Sequence, residues 1–118
     1  MTPIPKRILI IEDEWLIGEY LADHLIDAGY EVAGPLPSVA QALSFLAENA
    51  VDAALLDIRL GDEKSFPIAK VLFAADVPFV FLSGYVETDL PNDLRDAPLL
   101  SKPIQLAKLD EMLGTLWN

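Results

Sequence analysis

Short apolar runs punctuate the chain at Ile8 to Ile11, Ala53 to Leu56, Phe79 to Leu82, and Leu99 with Leu100. Runs of this length without alternation read as strands buried on both faces, as in a parallel sheet. Between them, apolar positions recur at helical spacing. The first strand pattern covers residues 7 to 12, and 14 to 28 reads as a helix with Ile17, Leu21, Leu25 and Ala28 on one face, stopped by Gly29. Tyr30 to Ala33 alternates in polarity as an edge strand does, and Pro35 and Pro37 mark a loop. Ser38, with Gln41 three residues on, makes a capping box for a helix over Val39 to Glu48. Asp52 to Asp57 is the next strand, Gly61 to Lys64 a polar loop, and Ser65 with Pro67 opens a helix that runs to about Ala75. Pro78 introduces the strand Phe79 to Leu82. The stretch from Tyr85 to Ala97, with Pro91 and several acids, supports only a short helix. Leu99 to Ser101 is a last strand, and Ile104 to Trp117 is a helix that turns Leu106, Leu109, Leu113 and Leu116 inward. The pattern predicts an α/β fold of five strand-then-helix repeats in one domain, with its core at about residues 7 to 116.

The ends of those strands carry the chemistry. Glu12 and Asp13 follow the first, Asp57 closes the second apolar run, Ser83 closes the third, and Lys102 follows the last. In open α/β sheets functional groups gather at the carboxyl ends of the strands, so three carboxylates, a hydroxyl and an ammonium are expected to meet at one edge. Adjacent carboxylates repel unless a cation compensates them, and oxygen ligands with several retained waters suit Mg²⁺. Asp13 and Asp57 are the expected direct ligands, Glu12 acts through a water, and the backbone carbonyl of Arg59 supplies a further oxygen. Asp57 is the candidate nucleophile, because a carboxylate attacks phosphorus once the repulsion between two anions is masked. Lys102 would then neutralise one phosphoryl oxygen, Ser83 would donate a hydrogen bond to another, and Gly84 leaves room for the group to enter.

Composition narrows the field. A chain of 118 residues holds one hydrophobic core, and a separate output domain is not expected. Nineteen acidic against eight basic residues give a formal net charge of −11, which repels nucleic acid and anionic membranes, so neither is an expected partner. Lys6 and Arg7 before the first apolar run resemble the start of a signal peptide, but Glu12, Asp13 and Glu14 interrupt the stretch after four residues. The absence of cysteine removes disulfides, metal thiolates and thiol catalysis, and a cytoplasmic location is expected.

With these residues in place, the chain resembles the receiver domain of bacterial two-component response regulators from about Arg7 to Leu116. The motifs are the acidic pair Glu12 and Asp13, Asp57 in LLDIRL, Ser83 followed by Gly84, and Lys102 followed by Pro103. The resemblance implies a flavodoxin-like doubly wound sheet of order 2-1-3-4-5 and a cis peptide before Pro103 that aims Lys102. It also implies phosphorylation of Asp57 by a sensor histidine kinase or histidine phosphotransferase, and a downstream protein partner. PFVFLSGY is further similar to a subgroup of stand-alone alphaproteobacterial receivers marked by Phe-Ala-Thr-Gly on the fourth strand, which links it to stress-response phosphorelays. Phe81, Leu82, Ser83 and Gly84 stand in those places, and Leu82 and Ser83 depart from the pattern. Leu99 stands where many receivers carry a switching aromatic. Tyr85 is the expected substitute, and phosphorylation is expected to reorder the loop after Ser83 and alter the surface of the fourth helix, fifth strand and fifth helix. Arg59 and Tyr85 are also expected to shield the phosphoryl group from water.

Other readings account for less. A receiver-like module that binds without being phosphorylated has no need of Asp57, Ser83 and Lys102 together. An Asp-nucleophile phosphatase carries Asp-x-Asp, whereas Asp57 is followed at that spacing by Arg59. A flavodoxin needs a phosphate-cradling loop where Glu12, Asp13 and Glu14 would repel the ligand. His24 reads as an ordinary helix residue, Trp15 as packing at the start of its helix, and Trp117 as core.

Overall fold

The computed structural model describes residues 4–84 and 90–117. Five parallel strands, β1 (Arg7–Ile11), β2 (Glu31–Leu36), β3 (Ala53–Asp57), β4 (Phe79–Ser83) and β5 (Leu99–Ser101), form one sheet in the order 2-1-3-4-5. Among the described residues four helices, α1 (Trp15–Asp27), α2 (Val39–Glu48), α3 (Phe66–Ala74) and α4 (Leu106–Leu116), cover its faces. This is the flavodoxin-like doubly wound arrangement. Alternate residues of each strand feed opposite cores: Leu9, Ile11, Leu56 and Phe81 pack with Ile68 and Leu72 of α3 on one side. Ile8, Ile10, Leu55 and Leu82 pack with Leu21, Leu25, Leu109 and Leu113 of α1 and α4 on the other. Both faces are buried, which is why the central strands read as unbroken apolar runs.

The Ser38 cap is present, its Oγ accepting from the Gln41 N–H at 3.2 Å. Four expectations need correction. β2 runs on to Leu36, through the Pro35 assigned to a loop. It is an edge strand, where a residue without an N–H is tolerated, and a register shift between Leu9 and Ile11 absorbs the irregularity. The Glu12 N–H still reaches the Leu36 carbonyl at 3.0 Å. The polar loop after Asp57 is a short antiparallel hairpin pairing Arg59–Leu60 with Glu63–Lys64. The stretch expected to hold a short helix lies partly outside the described residues, and from Leu90 to Ala97 it holds a single 3₁₀ turn, Asn92–Leu94. Trp15, expected to pack, is 68% exposed. Ala28 is exposed as the C-cap of α1 rather than facing inward. Tyr85 lies outside the described residues.

His24 sits half-buried on α1 and its Nε2 contacts Asp110 Oδ1 of α4 at 2.7 Å, tying the two helices on that face together. Trp117 is partly buried and donates from Nε1 to the Tyr30 hydroxyl at 3.0 Å.

Backbone proximity fixes one further position. Gly18, buried on α1, faces Pro35 of β2 so closely that an added Cβ would stand 2.7 Å from both the Cβ and Cγ of that ring. Glycine inside a helix forgoes about 1 kcal/mol of propensity against alanine. A rigid proline ring cannot yield as a flexible side chain does, and overpacking of this kind costs about 1–3 kcal/mol. The clash therefore outweighs the propensity gain, and Gly18→Ala is expected to lower unfolding free energy by about 1 kcal/mol. Urea denaturation of the two proteins checks this; an alanine variant more stable than wild type would show that α1 can move away from β2.

Candidate functional site

Strand register assembles the site. Ile11 lies level with Leu56, and Asp57 with Leu82, so Glu12 and Asp13 emerge beside Asp57 while Ser83 lies one residue beyond it. Ser83 is in turn level with Ser101, which brings Lys102 to the same edge, and the Lys102 N–H donates to the Ser83 carbonyl at 2.7 Å. The apolar runs end here in polar residues, Asp57 and Ser83 closing β3 and β4 and Glu12 following β1, and all three are buried. The peptide between Lys102 and Pro103 is cis.

The three carboxylates each offer an oxygen within 4.8 Å of the others. Lys102 Nζ lies 2.9 Å from Asp57 Oδ2 and 2.7 Å from Glu12 Oε1, so one ammonium bridges two of them. The contact to Asp57 is a hydrogen bond, and that to Glu12 is an ion pair of similar length. Asp13 is exposed, and its Oδ2 accepts from the Gly61 N–H of the hairpin turn at 2.8 Å. Asp13, Asp57, Arg59, Ser83, Gly84 and Lys102 border a cleft of about 330 Å³. Glu12 is only 2% exposed and contributes nothing to the cleft wall, which sets it behind Asp57 and Lys102. The seven residues singled out from sequence thus share one edge.

Charge is unbalanced at this edge. Burial, with the neighbouring Asp57 carboxylate, pushes the Glu12 carboxyl up to about 8, against the opposing pull of Lys102. Burial works against the Lys102 ammonium, but its contacts with Glu12 and Asp57 outweigh that and hold its pKa above the ordinary lysine value. Three acidic side chains gather here, two of them paired with Lys102, and an all-oxygen donor set of this kind is consistent with a hard divalent metal site.

Two features were not anticipated. Gly61 orients Asp13, and no signal in the sequence pointed to it, because the contact spans a loop whose hairpin form is set by tertiary packing. Leu16 and Tyr20 are 81% and 55% exposed on α1, next to Trp15. Their signal was present: they are apolar residues lying off the inward stripe of Ile17, Leu21 and Leu25. Beside them, Ile17, Tyr20, Lys102, Pro103 and Ile104 line an apolar hollow of about 290 Å³ that adjoins the site.

Comparison with known proteins places this geometry in context. The family profile described as the response regulator receiver domain matches residues 8–114. The transcriptional regulatory protein PdtaR of Mycobacterium tuberculosis is 28% identical over 110 residues, covering 90% of this chain and 54% of that protein. The chain thus spans about half the length of that relative. The response regulator receiver protein CpdR of Brucella abortus is 31% identical over 109 residues, covering 88% of this chain and 90% of that one. The solution structure of SdrG from Sphingomonas melonis Fr1 superposes with a TM-score of 0.84 at 37% identity, covering 99% and 100% of the two chains. SdrG in a BeF₃-activated conformation superposes at 0.77 with 40% identity, covering 93% of this chain and 94% of that one.

The Glu12 shift has a defined sign. A carboxyl raised from 4.5 to about 8 keeps its proton in the folded state where the unfolded chain has lost it. This group therefore lowers stability progressively as pH rises between those two values, and the penalty is constant above them. In metal-free buffer, Glu12→Gln is expected to resist urea better than wild type at pH 8, with the gap closing toward pH 5. A gap independent of pH would show that Glu12 is ionised throughout.

Proposed function

The chain belongs to the response regulator receiver domain family, and from that membership we propose that Asp57 is its phosphoacceptor, Mg²⁺ its cofactor, and a phosphohistidine protein its donor. A receiver is a phosphorylation-state switch of a phosphorelay rather than a classical catalyst, and the Glu12, Asp13 and Asp57 cluster occupies the position of the family's phosphoacceptor and metal site. The observation that carries the assignment is Asp57 in a cleft with Ser83, Gly84 and Lys102, its carboxylate held by the ammonium at 2.9 Å.

Asp57 attacks phosphorus through one carboxylate oxygen; the new O–P bond forms as the P–N bond to the donor imidazole breaks, and the imidazole leaves with the electron pair. Lys102 moves from pairing with the free carboxylate to pairing with a phosphoryl oxygen, and Ser83 donates its hydroxyl to another. Asp13, Asp57 and the Arg59 carbonyl are the residues that would hold Mg²⁺, with Glu12 behind them reaching it through water. When bound, the ion supplies the positive charge that offsets the two approaching anions. Three carboxylates with oxygens within 4.8 Å of one another support the need for it. That SdrG, 40% identical to this chain, has a BeF₃-activated conformation supports a phosphorylation switch here. The phosphorylated domain passes its signal on by protein contact or by returning the phosphoryl group to another histidine.

The donor is a sensor histidine kinase or a histidine phosphotransferase, and it must bring its imidazole to the mouth of the cleft. Trp15, Leu16 and Tyr20 form an exposed apolar face of α1 beside that mouth, suited to the apolar face of a partner helix.

Intact-mass measurement with Mg²⁺ and a small phosphodonor is expected to show one phosphoryl adduct on wild type, none on Asp57→Asn, and none with a chelator. An adduct that survives Asp57→Asn would move the acceptor elsewhere. Replacing Leu16 with Asp is expected to slow transfer from a phosphorylated kinase about tenfold or more while leaving labelling by the small donor unchanged. Equal loss with both donors would mean that the substitution damages the site itself rather than docking.

A further inference from the structure

At the opposite edge of the sheet, the start of β4 and the approach to β5 frame a second depression of about 550 Å³. It lies at the end of β4 that begins with Phe79, roughly 13 Å of strand from Ser83, and shares no residue with the cleft above. Its apolar surface comes from Phe73 at the end of α3, Phe79, Leu94 of the 3₁₀ turn and Leu116 at the end of α4. Phe73 is 64% exposed, a large aromatic left in water at the lip of a groove.

Three carboxylates, Asp76, Asp93 and Asp96, border the groove, and among the described residues its lining holds no basic side chain. All three are exposed, so their charge faces an incoming partner rather than an internal counter-ion. The nearby Arg95 is engaged locally, its Nη2 donating to Asn92 Oδ1 at 3.0 Å. An apolar floor inside an acidic border selects by charge as well as by shape. A second copy of this chain, at −11, and a nucleic acid are both repelled from it.

We propose that this groove docks a basic amphipathic segment of a partner protein, its Leu or Phe anchors against Phe73, Phe79 and Leu94 and its Lys or Arg residues against Asp76, Asp93 and Asp96. The site is separate from the phosphorylation cleft, so it gives the domain a surface that a partner can hold without blocking access to Asp57.

The test uses the full chain, labelled with nitrogen-15, and a synthetic 14-residue helical peptide of leucine and lysine as probe. The same peptide with glutamate in place of lysine is the control. The lysine peptide is expected to shift the amide signals of Phe73, Asp76, Val77, Leu94 and Ala97 most, and the glutamate peptide to shift none. Replacing Asp93 and Asp96 together with lysine is expected to weaken the lysine peptide by about tenfold or more. Asp23→Lys, an equally exposed acid on α1, is expected to leave it within about twofold. Both aspartates are on the surface, and unchanged signals from the Ile8–Ile11 strand show that the variant is folded. Shifts spread over the whole acidic surface, shifts centred on the Asp57 cleft, or equal weakening by the two sets of substitutions would each overturn the proposal.

Discussion

Mutual repulsion among three carboxylates, pinned by the ends of two adjacent strands, governs this sheet edge. The strands that lead to Glu12, Asp13 and Asp57 are each paired on both sides, so the side chains cannot relax apart by moving those strands. Relief has to come from neighbouring groups. Lys102 supplies part of it by bridging Asp57 and Glu12, the Gly61 N–H supplies a smaller part at Asp13, and burial of Glu12 makes protonation an alternative to compensation. The cluster is thus one that a bound cation would relieve further, and an anionic group could approach Asp57 more easily once that charge is in place.

The rest of the fold serves to hold that tension in place. Strands buried on both faces give the site a floor with almost no freedom, since Ile8 to Ile11 and Ala53 to Leu56 are fully enclosed. α1 is held against β2 by the close approach of Gly18 to Pro35, and against α4 by the His24 and Asp110 pair. These contacts fix the helix that starts two residues after Asp13. The hairpin after Asp57 does the same from the other side, because its turn is what reaches Asp13. Rigid strands thus present the reacting groups, while the surfaces a partner can read, the α1 face and the groove by Phe73, lie on helices and connections around them.

Much of this was legible in the chain itself. Fold class and helix positions follow from the period of apolar residues, and the site residues follow from where each apolar run gives way to an acid, a hydroxyl or an amine. Where reading failed, local rules were overridden by packing. Pro35 signals a loop in isolation, yet an edge strand has one side without hydrogen-bond obligations and can absorb it. Residues 61 to 64 carry loop composition, yet they form the turn and second strand of a hairpin. Trp15 looked like a packing residue because it is large and apolar, but nothing in a one-dimensional pattern says which side of the first helical turn meets the core.

Sequence alone determined the kind of sheet, the number of its strands and the set of groups at their carboxyl ends, because hydrophobic period and residue chemistry are local properties. Tertiary structure alone decided the strand register that sets Glu12 behind Asp57, the bridging of two carboxylates by one lysine, the hold of Gly61 on Asp13, and the meeting of Phe73, Asp96 and Leu116 around one groove. Each of these joins residues far apart in the chain, and only the packing of strands and helices sets the distance between them.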